Sequence, residues 1–215
     1  MTTQVPSLWQ NLVSSRITTF VILEREIGNR DLLKVVGDTP SIVPRAYPGI
    51  GISLMTGIPR IQIGDLGGSP LFATNLMHGQ SVRGALFTEF SEREKIKEKL
   101  ALLDDLARST SIPIHLREVD INLLVKGHFR CINSDLSFLN TFPTPCYYSV
   151  ILSNECPKSG NIRGVQWREI QIGANPEQSE QVVINGVLRE KELGGLIDLF
   201  VKDLELMYDR FVEYT

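Results

Sequence analysis

Apolar positions along the chain fall into short runs with two kinds of spacing. Between Ser91 and Ser109, Ile96, Leu100, Leu103 and Ala107 recur at helical intervals. Ser91 and Glu94 stand three apart, as a capping box requires. Glu92, Arg93, Glu94, Lys95, Lys97, Glu98 and Lys99 crowd the first turns, which reads as a solvated helix face. Towards the C-terminus, Leu193, Ile197, Phe200, Leu204, Met207, Phe211 and Tyr214 alternate by four and three, a heptad seam widened by Leu199 and Leu206. The two patterns predict long helices over 91–109 and 189–213. Shorter helices are expected over 6–14, with Leu8, Trp9, Leu12 and Val13 on one side, and over 28–38, with Asn29 as N-cap and Gly37 as stop.

The remaining pattern is β. The run from Ile17 to Ile22 is almost continuously apolar or β-branched, as in a strand buried on both faces. Residues 51–56 and 59–65 read as two short strands joined around Gly57-Ile58-Pro59. The second is half exposed, because Ile61 and Ile63 alternate with Arg60, Gln62 and Gly64. Residues 69–90 read as strand and loop. Further strands are expected over 112–117, 119–126, 147–153 and 161–173, and over 181–188, where Asn185-Gly186 is a hairpin-turn dipeptide. No internal repeat, low-complexity tract or long linker is visible. The plainest cut falls near Ser109 to Ser111, giving one domain or two lobes, 1–110 and 111–215. The expected fold is α+β, a mostly antiparallel mixed sheet with the two long helices packed on one face.

Charge narrows the partners. The 215 residues carry a net charge of −3, which gives no general attraction to nucleic acid or to an anionic membrane. The N-terminal stretch has no basic segment followed by an apolar one, and no apolar run is long enough to span a bilayer. Three cysteines, Cys131, Cys146 and Cys156, form an odd set without C-x-x-C spacing, which fits reduced thiols in the cytoplasm.

The glycine-rich stretch from Pro44 to Gly68 does not read as a phosphate cradle. It lacks the G-x-x-x-x-G-K-[ST] string, Leu54 stands where a dinucleotide fingerprint needs its third glycine, and a strand follows instead of a helix. Residues 156–161 hold Lys, Ser and Gly together but read as a hairpin loop. His78, His115 and His128 lie far apart in sequence without ligand spacing, so no metal or cofactor is expected. No G-x-S-x-G elbow occurs, and Asp104-Asp105 reads as ordinary helix surface. The pairing of Cys131 with His128 is the one nucleophile–base arrangement left open, as in a hydrolase or transferase.

Residues 16–64 resemble the closing part of the ATPase core in FtsK/HerA-type DNA translocases. The likeness rests on "RITTFVILER", the "NRDLL" helix, Pro48-Gly49 and "PRIQIG". Residues 91–119 look like the charged helix and "Pro-Ile" strand that lead out of such cores. Pro48-Gly49-Ile50-Gly51 stands where the family has Pro-Gly-Arg-Gly, and the C-terminal part finds no counterpart. The resemblance implies a role for Arg30 at a neighbouring subunit's nucleotide.

Three functions are therefore in view. One is a non-enzymatic binding or assembly module, an accessory protein with a protein partner or self-association. Its C-terminal seam, Leu193, Ile197, Phe200, Leu204, Met207 and Phe211, is either core or partner surface. Another is a partial motor piece contributing Arg30 to a nucleotide site in trans. The last is the Cys/His enzyme.

Overall fold

The computed structural model describes residues 7–38, 42–52, 59–78, 80–129, 147–152, 161–162, 165–167 and 181–213. The chain is an α+β protein in two compact units, one of Ile17–Val119 and one of Met1–Arg16 with Asp120–Thr215. A cut near Ser109 to Ser111 would separate a helix from the strand that follows it within the first unit. The chain instead passes between units inside two strands, β1 (Leu12–Leu23) and β6 (Ile114–Lys126).

In the unit Ile17–Val119, β1 is followed by α1 (Asn29–Asp38), β2 (Ile42–Ile52), β3 (Pro59–Leu66), β4 (Ser69–His78), β5 (Ser81–Phe90), α2 (Ile96–Ser109) and β6. The strand order is β2-β3-β4-β5-β1-β6. Successive strands from β2 to β5 are antiparallel neighbours, and β1 pairs antiparallel with β5, Ile17 opposite Phe90 and Ile22 opposite Ala85. The described part of the glycine-rich stretch lies in β2, β3 and the turn after β3. Its last two glycines, Gly67 (φ 53°) and Gly68 (φ 76°), supply the left-handed conformations of the tight β3–β4 turn.

One sheet face meets α2. Val21, Leu23, Leu71, Ala73 and Leu86 form a single core with Leu103, Leu106 and Ala107. The predicted stripe of Ile96, Leu100, Leu103 and Ala107 is buried throughout. The N-cap position falls at Glu92, one residue after the Ser91 of the expected capping box. The chain enters α2 through a 3-10 turn, Arg93–Lys95, and the side chains of Glu92 and Lys95 make no capping hydrogen bond. Two residues read as surface are also not surface. Lys99 is fully buried, its Nζ donating to the carbonyls of Leu66 (3.1 Å) and Gly67 (2.6 Å) at the β3–β4 turn. Asp104 is mostly buried and clasped by Arg117 of β6, whose Nε and Nη2 donate to both carboxylate oxygens at 2.8–3.1 Å. Across the sheet, Phe20, Phe87 and Phe72 stack in series, and the Arg60 guanidinium lies 4.4 Å over the Phe72 ring.

The other unit begins with a 3-10 turn, Leu8–Gln10, not the helix expected over 6–14, and β1 starts at Leu12, five residues before its apolar run. Trp9 Nε1 donates to Glu205, and Asn11 Nδ2 to the Tyr208 hydroxyl at 2.7 Å, so long-range polar contacts set this segment's conformation. The unit continues from β6 through β7 (His128–Phe129), β8 (Tyr147–Leu152), β9 (Asn161–Ile162), β10 (Val165–Trp167), β11 (Gln181–Glu190), α3 (Leu196–Phe211) and β12 (Val212–Glu213). The order here is β6-β11-β8-β10-β9, with β8 and β10 parallel; β7 and β12 pair separately.

Asn185-Gly186 is not a turn. Both residues lie inside β11, Asn185 opposite Ser149 and Gly186 opposite Tyr148. Gly186 lets α3 approach, and Asn185 Nδ2 donates to Asp120, Asn122 and the Ile121 carbonyl. Likewise α3 begins at Leu196, because residues 189–190 complete β11.

The two units repeat one plan that the sequence did not disclose. A ten-residue strand, a five-residue link and a helix packed on that strand occur as β5–α2 and as β11–α3. Their strands start at 81 and 181, and their helices at 96 and 196. Among the described residues, no helix is long and apolar enough to cross a membrane.

Candidate functional site

Four strands of the Ile17–Val119 unit bring chemistry to one end of its sheet. After β1 ends at Leu23, the chain crosses closely over Gly84, whose N–H donates to the Arg25 carbonyl at 2.9 Å. Asn75, opposite Gly84, brackets Ile27 by accepting its N–H (2.9 Å) and donating to its carbonyl (3.2 Å). This double clamp sets the direction of α1. The carboxylate of Asp31 then accepts from the Gly28 N–H at 2.9 Å and from both terminal nitrogens of Arg25. Those contacts hold Asp31 below the usual aspartate range, Arg25 first and the Gly28 amide second.

Beyond the clamp the β4–β5 hairpin projects. Met77 and Val82 are directly opposed across the two strands and are 68% and 38% exposed. Facing each other at this exposure, the two side chains form a small apolar spot at the hairpin's end.

The neighbouring register positions are polar. Arg83 Nη1 donates to the Glu24 carboxylate (2.8 Å) and to the Glu24 carbonyl (3.0 Å), locking that residue at the end of β1. The other oxygen of Glu24 stands 3.5 Å from Nδ1 of His115 on β6. His78, the last residue of β4, packs edge-on against His115 with ring centroids 5.0 Å apart. The Arg83 hydrogen bond, ahead of the opposing effect of burial and the charge of His115, keeps Glu24 below the usual glutamate range. Two of the histidines that stand far apart in sequence are therefore neighbours. The signal that could have found them is the β4–β5–β1–β6 strand order, which is not written locally.

The residues singled out from sequence fall elsewhere. Leu193, Ile197, Phe200, Leu204, Met207 and Phe211 are all buried within their own unit, with Phe200 and Leu204 over Gly186. The exposed large apolar residue of that helix is Leu199. Arg30 is exposed in the first turn of α1, eight residues before its end, and makes no ion pair among the described residues. Cys131, Cys146, Cys156 and the loop 156–160 lie outside the described residues, as does the side chain of His128.

The fold and this strand-end cluster define an α+β protein carrying an apolar hairpin tip beside a His–Glu–Arg group. The chain matches no protein-family model and none of the curated proteins.

Proposed function

We propose that the protein is a non-enzymatic binding and assembly module, working in the cytoplasm, whose contact point is the end of the β4–β5 hairpin. The observation that carries this is the opposed, exposed pair Met77 and Val82. With the C-terminal seam buried, this hairpin supplies two of the four exposed large apolar side chains among the described residues, the others being Val13 and Leu199. The Asn75 clamp and the stacked phenylalanines hold its strands. The partner in view is a second copy of the chain, which would place the two spots together by two-fold symmetry. A pair this small serves as an anchor for a wider contact, not as the whole interface.

Light scattering over a concentration series tests it. Self-association that is lost in Met77→Asp with Val82→Asp, with circular dichroism unchanged, supports the reading. A wild-type chain that stays monomeric at hundreds of micromolar, or a double variant that associates as before, overturns it.

A second reading, the motor piece acting on nucleotide in trans, is favoured by the exposure of Arg30. It requires ATP or a motor subunit to raise the melting temperature in wild type and not in Arg30→Ala. No response at millimolar ATP with a motor subunit present counts against it.

A further inference from the structure

Asn185-Gly186 is the only asparagine–glycine step in the 215 residues. Such a step is the most open to deamidation, because glycine has no Cβ to keep its backbone nitrogen from the asparagine side chain. In that reaction the Gly186 nitrogen attacks Cγ of Asn185 and ammonia leaves. Water then opens the resulting cyclic imide to aspartate or isoaspartate, so one water is consumed for each ammonia released.

The fold holds this reaction shut. Both residues lie inside β11, which runs between β6 and β8, with Asn185 opposite Ser149 and Gly186 opposite Tyr148. Extended backbone flanked on both sides keeps its amide nitrogens in the sheet and away from the preceding side chain. Phe200 and Leu204 stand 2.8 Å from where a Cβ at 186 would be, which leaves the strand no room to buckle towards α3. The Asn185 amide is anchored as well. Its Nδ2 donates to Asp120 Oδ1 (2.8 Å), Asn122 Oδ1 (3.0 Å) and the Ile121 carbonyl (3.2 Å). An aspartate carboxylate and a backbone carbonyl only accept, so the atom facing them has to be a nitrogen.

We propose that Asn185-Gly186 is a modification site guarded by the fold, closed while β11 is in its sheet and open to deamidation whenever β11 detaches. Deamidation replaces the one donor of this cluster by a carboxylate oxygen. A second negative charge then faces Asp120, and the Ile121 carbonyl loses its donor. Isoaspartate also lengthens the main chain by a methylene and breaks the register of β11 with β8. A chain that has stayed unfolded for long is thereby barred from closing this unit again.

The test incubates the full chain in buffer and in urea at mildly alkaline pH, and reads deamidation at every asparagine by peptide mass mapping. In urea, position 185 should convert first; in buffer its conversion should be slower by about tenfold or more. Equal rates in the two solutions overturn the proposal, as does an unfolded chain in which another asparagine converts faster. Asn185→Asp supplies the product directly. It should refold with a lowered urea midpoint or not at all, and adding Asp120→Asn should recover part of the loss. An Asn185→Asp chain with the wild-type midpoint, or a loss that Asp120→Asn leaves unchanged, overturns the barrier to refolding.

Discussion

Gly186 of β11 lies beneath Phe200 of α3: a Cβ at position 186 would stand 2.8 Å from Phe200 Cζ and 2.8 Å from Leu204 Cδ2. The strand must carry glycine there for the helix to seat. Gly186→Ala should destabilise the protein by about 1–3 kcal/mol through overpacking. Gly84→Ala should cost at least as much. Its Cβ would meet the Ile27 backbone nitrogen at 2.8 Å, and a main-chain atom cannot step aside as a side-chain end can. Urea denaturation of both variants checks the size and the order.

The C-terminal seam makes a related demand. Phe200 and Met207 are fully buried, so Phe200→Glu or Met207→Glu puts an unpaired charge in the core. The expected outcome is loss of cooperative unfolding in the unit that holds α3. A well-folded monomer replacing a wild-type oligomer would instead make this helix an interface. Solution mass and near-ultraviolet circular dichroism, measured together, separate the two.

Lys99 ties α2 to the β3–β4 turn by two hydrogen bonds to carbonyls. Burial pulls its ammonium below the usual lysine range, with the charge of Glu98 opposing. Lys99→Met keeps most of the packing but leaves those carbonyls without their donor. A loss of about 2 kcal/mol is expected in a chemical melt. Hydrogen exchange should quicken first at residues 66–69.

Thr19 and Thr88 are directly opposed in β1 and β5, both fully buried, and neither hydroxyl has a hydrogen-bond partner. Replacing either with valine removes a buried polar group at nearly constant volume. Thr88→Val should raise stability by about 1 kcal/mol, read as a higher urea midpoint at unchanged slope. A loss of similar size would show that the hydroxyl is satisfied in solution.

Asp31 supplies a pH dependence. Its folded pKa lies below its ordinary value of 3.8, so between those two points the unfolded chain binds the extra proton. The stabilisation is complete above the ordinary value and is lost as pH falls through the folded one. Arg25 is largely exposed, which keeps the effect small through solvent screening. Asp31→Asn should cost about 0.5–1 kcal/mol at neutral pH and flatten this part of the acid limb. Melting curves between pH 7 and pH 2.5 check it.

What the sequence by itself determined is what neighbouring residues encode. The helical spacing of Ile96, Leu100, Leu103 and Ala107 requires one buried stripe, and the strand expected over 59–65 is β3; of the strand expected over 51–56, residues 51–52 end a β2 that begins at Ile42, and the rest lies outside the described residues. The α+β class follows from these local periods. Tertiary structure decided the rest. Lys99, in a charged run, and Asp104, in an acidic pair, both read as surface, yet the β3–β4 turn covers the first and Arg117 on β6 covers most of the second. Asn185-Gly186 carries a turn signal, yet α3 needs that glycine within a strand. His78 and His115 meet although β5 and β1 lie between their strands in the sheet. Strand order is a balance of many long-range contacts, each small and none local. No short stretch of residues can therefore specify which side chains it will bring together.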